Sequence, residues 1–345
     1  MAFTYYTPVT IDHTKCGGSD SSNFTVLFNT VDARFKTVAN GGHVQNSSGF
    51  DIRPYSDSGL TTALNFELER YNASTGEVVM WIKEGTVSHT SDTVYYLAYG
   101  DSSLSTDGSS TSAWDSTFTR VYHLKDGTTL SVIDSTGIQN GTNSGATATS
   151  GQIDGAANFA AVSSQKITAG NLSQTAITVS LWINDTLEDI PYRTAFNMGA
   201  SSVSYAGIDV KSNGKLNVAV QATTSRAYDG TGTHTLSAGT WYHVALTYDS
   251  SAGLVAYVNA ASDGTVSANG NMNSTSQPCE IGHSPAFNCC FWNGKIDEVH
   301  VANVARSADW ITTEYNNQNS PSTFYTVGTE ITFGGVNAAA FFRIF

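Results

Sequence analysis

The stretch GKIDEVHVA sets two carboxylates, Asp297 and Glu298, side by side in what reads as a strand, with His300 two residues on. Neighbouring side chains of a strand point to opposite faces, so this pair cannot work on one bond. Strand parity puts Asp297 with Val299 and Val301, and Ile296, Glu298 and His300 on the other side. If the valines face a core, Asp297 sits at the buried margin of a sheet, where a carboxylate needs backbone N–H groups, a basic partner or a cation. Glu67 and Glu69 of FELERY do share a face, but Arg70 stands beside them, and an ion-paired or solvated strand face accounts for them. His243 in WYHVALTYD alternates with Trp241 and Ala245 and reads as a packed, hydrogen-bonded residue, not a general base; His123 and His300 read alike. Cys279, Cys289 and Cys290 bracket CEIGHSPAFNCC, where a disulfide could close the loop, the thiols could stay free, or His283 could join a zinc site. That spacing matches no established zinc pattern, and Cys16 stands alone. There is no G-x-S-x-G elbow, H-E-x-x-H pair or P-loop. Nothing in these residues asks for hydrolysis.

The elements that must position them are strands. Of 345 residues only 13% are charged, and 16 Lys+Arg against 29 Asp+Glu leave a formal charge of -13. Such acidity repels phosphate backbones and anionic lipid, which argues against nucleic acid as a partner. Up to residue 113, short runs such as YTPVTID, FTVLFN, EVVMWIK and TVYYLAYG are rich in β-branched and aromatic residues and end in Gly, Asn, Asp or Ser turns. FELERYNASTGEVVMWIK predicts a hairpin around Asn72 to Gly76. The low-complexity DSSLSTDGSSTSAWDS then marks a boundary. From 114 to 330 the strands continue, among them AITVSLWIN, LNVAVQA and KIDEVHVA, with WYHVALTYDSSAGLVAYVN as a hairpin about a five-residue loop. One helix follows Arg306, with Ser307 as N-cap and Trp310, Ile311 and Tyr315 on the face that packs. The expected class is all-β, with two tandem β-sandwich domains at 1–113 and 114–330 and an apolar tail at 331–345.

Several motifs in order, VYHLKDG, GQIDGAANF, ITVSLWIN, GTWYHVALTYDSSAGLVAYVN and WNGKIDEVHVANVARSADWITTEYNNQ, make the second part resemble a LamG-like, concanavalin A-like jelly-roll domain. The first part, through PVTIDHTK, DIRPYSDSGLTTALNFELERYNASTGEVVMWIK and TVYYLAYGD, is similar to the DUF2341 domain, which often precedes such a jelly roll in surface proteins and some phage proteins. The resemblance implies a structural calcium with Asp126, Asp134 and Asp297 as its ligands; the residues leave equally open a metal-free reading in which Asp297 caps turn amides. Glycosidases of this fold carry carboxylates in an E-x-D-x-E strand, and the second domain has none. Glycan recognition pairs aromatic platforms with amides and carboxylates, and Tyr228, Asn288, Phe291 and Trp292, in loop-like surroundings, are the candidates.

In the tail, Phe341, Phe342, Ile344 and Phe345 are too few to span a bilayer and too apolar for water, which favours docking to another subunit over a last strand folded back on its own domain. The start, MAFTYYTPVTIDHTK, lacks the basic and apolar regions of a secretory signal. The combined expectation is a non-enzymatic adhesion or glycan-binding protein, extracellular or on a virion surface, whose partners are a glycan or cell-surface receptor and other assembly subunits. Alternatives are an exported bacterial surface protein, a polysaccharide hydrolase and a cement or spacer protein.

Overall fold

The hairpin Phe66–Asn72 to Glu77–Lys83 joins two runs rich in β-branched, aromatic and aliphatic residues through a turn rich in Asn, Ser, Thr and Gly. The same logic repeats throughout the computed structural model of the protein, which describes residues 3–125, 129–187, 190–200, 204–222, 226–229, 232–267, 270–272, 276–285 and 287–333. Two units divide the chain: Met1–Ala113 with Asn316–Phe345, and Trp114–Tyr315. Residues from Asn316 to 330, expected in the jelly roll, are therefore counted with the first unit. There Tyr325–Val327 pairs with the opening strand Tyr5–Ile11, Val327 opposite Val9, and Ile331–Thr332 pairs with it further along. The first unit's core joins two sheets through Phe28, stacked on Tyr325 at 5.3 Å, and Phe35, edge-on to Tyr99 at 5.2 Å.

The second unit is a two-sheet sandwich. Its seven-stranded sheet runs Thr142–Ser144, Lys166–Leu172, Gln277–Ile281, Tyr192–Ala200, Ser204–Lys211, Leu216–Gln221, Arg226–Asp229. Its eight-stranded sheet runs Thr147–Ser150, Gly155–Phe159, Gly294–Ala302, Ile177–Asp185, Trp241–Asp249, Gly253–Val258, Ala261–Val266, with Phe118–Tyr122 beside Gly294–Ala302. Inward side chains such as Val179, Leu181 and Ile183 meet Phe196, Ile208 and Val218 in one apolar cluster. The hairpin from Trp241 closes more tightly than expected: Asp249 pairs with Gly253, and its Oδ1 accepts the amides of Ser251 and Ala252.

The outer face of the eight-stranded sheet is also covered. The helix Ala308–Asn319 starts where Ser307 Oγ accepts the Trp310 N–H at 3.1 Å, and it buries Trp310 and Ile311. Each such side chain stabilises the packing by roughly 1.5–3 kcal/mol. Cover on both faces leaves Ile177–Asp185 buried along almost its whole length, its polar Thr178 and Ser180 included. Register places Ser180 opposite His300, and Trp182 opposite both His243 and Asp297, on this helix-covered side.

Within Gly294–Ala302, strand parity breaks at Glu298. Between Ser180 and Trp182 the partner strand steps from His300 to Asp297, one residue too many, and Glu298 has φ +49°. This bulge reverses alternation, so Ile296, Val299 and Val301 all enter the core while Asp297 faces outward, not with the valines as expected.

Candidate functional site

Asp297 is fully buried, and its Oδ2 accepts the amides of Gln152 and Ile153 at 2.9 and 3.0 Å. Gly151 has no room for a side chain there, because a Cβ would lie 2.5 Å from that same oxygen. Asp134 Oδ1 accepts the amides of Val121 and Thr136, and its Oδ2 accepts that of Gln139. Amide donors thus engage Oδ2 of Asp297 and both oxygens of Asp134, as turn capping requires. Asp126 lies outside the described residues, as do Phe341, Phe342, Ile344 and Phe345 of the tail. Phe333, at the start of that tail, packs edge-on against Tyr6 at 6.0 Å, beside the short pairing of Ile331–Thr332.

The glycan candidates separate. Trp292 has no exposed surface and belongs to the core, so it is not a platform. Tyr228 lies in the strand Arg226–Asp229, paired with Ala219, and not in a loop. Asn288 is exposed, with φ +49°. Phe291 lines a hollow of about 520 Å³ together with Val162, Pro191, Tyr192, Cys289 and Cys290.

The loop that carries Phe291 is tied down at several points. Trp292 donates its amide to the Gly282 carbonyl at 2.9 Å, the Thr194 amide binds the Cys290 carbonyl at 2.8 Å, and Ser284 binds Cys289. Gly282, at φ +82°, is required: a Cβ would sit 2.7 Å from the Phe159 ring. Cys289 and Cys290 are bonded to each other, so the disulfide closes no loop, and Cys279 is a buried core thiol pushed up to about 12 by burial. His283 is no zinc ligand paired with these thiols. It stacks on Phe291 at 4.3 Å, and its Nδ1 is bonded to Glu280. Burial pushes the Glu280 carboxyl up, but Lys166, at 2.8 Å, and His283 outweigh it and hold the carboxyl below its usual value.

Across the hollow, Val162 is 94% exposed and Tyr192 is 42% exposed. Asn293 anchors this side, accepting the Ala161 amide at 3.2 Å and donating to Thr186 Oγ1 at 2.9 Å. Val162, Pro191 and Tyr192 escaped the sequence reading, since each comes from a turn or strand end that looks ordinary alone. The paired CC dipeptide was the available signal.

Among the described residues that line the hollow there is no carboxylate. Glu69, expected to share a face with Glu67, is the extra residue where the register shifts between Leu68 and Arg70; it is buried, and its Oε2 accepts the Trp81 indole N–H at 2.7 Å. Arg70 pairs with Glu77 at 3.2 Å. The histidines expected to be packed are buried, but His243 Nε2 stands 3.6 Å from Glu314, beyond a hydrogen bond, and its ring lies edge-on to Trp182. Among the described residues, no helix is long and apolar enough to cross a membrane.

Among curated proteins no match to the chain was found. Similar solved structures include domain 4 of AbnA, an extracellular arabinanase from Geobacillus stearothermophilus, in complex with arabinotriose, at 17% identity and TM-score 0.47 over 56% of this chain and 96% of that one. A SAP-like pentraxin from Limulus polyphemus is similar at 20% identity and TM-score 0.35, over 43% of this chain and 72% of that one. A structure on cell entry of botulinum neurotoxin type C through two ganglioside molecules is similar at 13% identity and TM-score 0.45, over 59% of this chain and 51% of that one. Residues 154–312 match the family described as the concanavalin A-like lectin/glucanases superfamily, and the second unit is a β-sandwich of that kind.

Proposed function

We propose that the protein is a non-catalytic surface protein whose second unit recognises carbohydrate, with the sugar seated in the hollow at Cys289–Cys290. The observation that carries this reading is an open concave surface walled by flat, rigid groups: the Phe291 and Tyr192 rings, Pro191 and the disulfide. Such walls suit the apolar face of a pyranose, and about 520 Å³ falls within the roughly 300–1,000 Å³ of small-ligand sites. The described lining is apolar and aromatic, which supports a binding reading of the hollow. The first unit, similar to DUF2341 through its motifs, serves as the companion domain of a surface or virion protein, and the partner is a glycan or a receptor that bears one.

A glycan array probed with the full chain, followed by titration of the best hit, tests this. Tyr192→Ala is expected to weaken binding about tenfold, or ~1.4 kcal/mol. A silent array, or affinity unchanged in both Tyr192→Ala and Phe291→Ala, would overturn the reading.

A further inference from the structure

Beneath the helix Ala308–Asn319, the outer face of the eight-stranded sheet holds five buried ionisable side chains in a chain of contacts. His123 Nδ1 lies 2.8 Å from Glu298 Oε2, and His300 Nε2 lies 3.1 Å from the same oxygen. His300 Nδ1 is 3.1 Å from Glu314 Oε1, which also accepts the Ser180 hydroxyl at 3.0 Å, and His243 stands beyond it. Glu298 is where it is because the bulge at φ +49° turns it out of the strand's alternation.

We propose that His123, Glu298 and His300 form a buried site for one divalent transition-metal ion, zinc foremost, with Glu314 as the positioning residue for His300. One ligand atom from each of the three lies within 4.8 Å of the others, the convergence a single ion needs. Glu298 supplies the independent sign. Its Oε1 is buried with no hydrogen-bond partner, although a carboxylate out of contact with water should have both oxygens engaged. An ion among the three would engage it.

The surroundings suit the ion too. A metal-bound imidazole usually gives its other ring nitrogen to a carboxylate that fixes its orientation, and Glu314 stands in that place behind His300. Charge points the same way. Glu298 and Glu314 bring two negative charges into a dry face, and a divalent ion with neutral imidazoles balances them. Two imidazoles and a carboxylate match zinc, whereas calcium and magnesium want oxygen alone. Three protein ligands leave a fourth position for a water molecule, and the site stands apart from the glycan reading.

The test unfolds the full chain in denaturant with a chelator, refolds it with or without Zn2+, and measures bound metal by mass spectrometry and the melting temperature. The expected result is one zinc per chain retained through dialysis and a higher melting temperature than the metal-free protein. Glu298→Gln should lose the metal, and Glu314→Gln should keep it with about 10- to 100-fold weaker affinity. Should Glu298→Gln fail to fold, the wild-type comparison still decides. No retained metal with an unmoved melting temperature overturns the proposal in favour of a purely hydrogen-bonded network. Zinc that survives Glu298→Gln but is lost in Asp92→Asn also overturns it, placing the ion at the exposed group of Asp12, His13 and Asp92.

Discussion

The two ends of chemical interest in the second unit reverse the usual order of inside and outside. The helix-covered face is buried yet carries His123, Glu298, His300, Glu314 and His243, while the hollow is open yet lined by Val162, Pro191, Tyr192 and Phe291. Charge taken out of water costs stability unless partners compensate for it, so the first region must be held by mutual pairing. Apolar surface left in water gains nothing for folding, so the second has a use only when something covers it. On the proposed reading, flat apolar walls mark the sugar site, and ionisable groups do not.

The comparison breaks most visibly at Glu314. Burial pushes its carboxyl up, but His243 and His300 outweigh that and hold it well below the ordinary range. Glu314→Ala removes the buried carboxylate that His300 and Ser180 engage and is expected to cost about 3–5 kcal/mol in denaturant unfolding. A loss under about 1 kcal/mol would mean that the face tolerates unpaired charge and that pairing does not hold it. A sharper contrast comes from adjacent residues. Trp292→Ala should cost about 3–5 kcal/mol because it empties the core. Phe291→Ala should leave stability within about 1 kcal/mol but weaken glycan binding about tenfold. Equal stability losses in the two would erase the distinction between anchor and platform.

How far the sequence revealed this depends on whether the controlling contact is local. The hairpins at Phe66–Lys83 and Trp241–Val258 follow from strand-forming runs and the turn residues between them, and the helix from Ser307 with its apolar spacing. Asp297 was read onto the wrong face because parity assumes an unbroken pleat, and nothing in KIDEVHV announces that Glu298 is the extra residue. Capping of the Gln152 and Ile153 amides was one of the readings left open, and it is what the side chain does. Residues from Asn316 to 330 looked continuous with the jelly roll, since the pairing of Val327 with Val9 spans nearly the whole chain and leaves no local trace. Phe291 and Trp292 could not be told apart in FWNG, because the close approach allowed by Gly282 belongs to the folded loop. The buried histidines were recognised as packed, but their sharing of two glutamates is a tertiary fact that strand patterns do not carry.

The smallest expected effect links the two regions' logic at one residue, Glu280, a buried carboxylate that serves the open hollow. Through His283 it steadies the ring stacked on Phe291, and Lys166 and His283 hold its carboxyl below the ordinary value of 4.5 despite burial. A carboxyl depressed in the folded state contributes stability that is present above its unfolded value and lost as pH falls through the folded one. Glycan affinity should therefore show no Glu280-dependent change from about pH 7 down to 4.5 and should decline below that, as protonation loosens His283 and with it Phe291. Lys166→Met removes the ammonium at 2.8 Å and should move the decline to higher pH, while Tyr192→Ala, on the opposite wall, should lower affinity without moving it. Binding measured against pH in the three proteins distinguishes these outcomes. An unmoved decline in Lys166→Met would detach Glu280 from the hollow and leave the platform positioned by the loop's backbone ties alone.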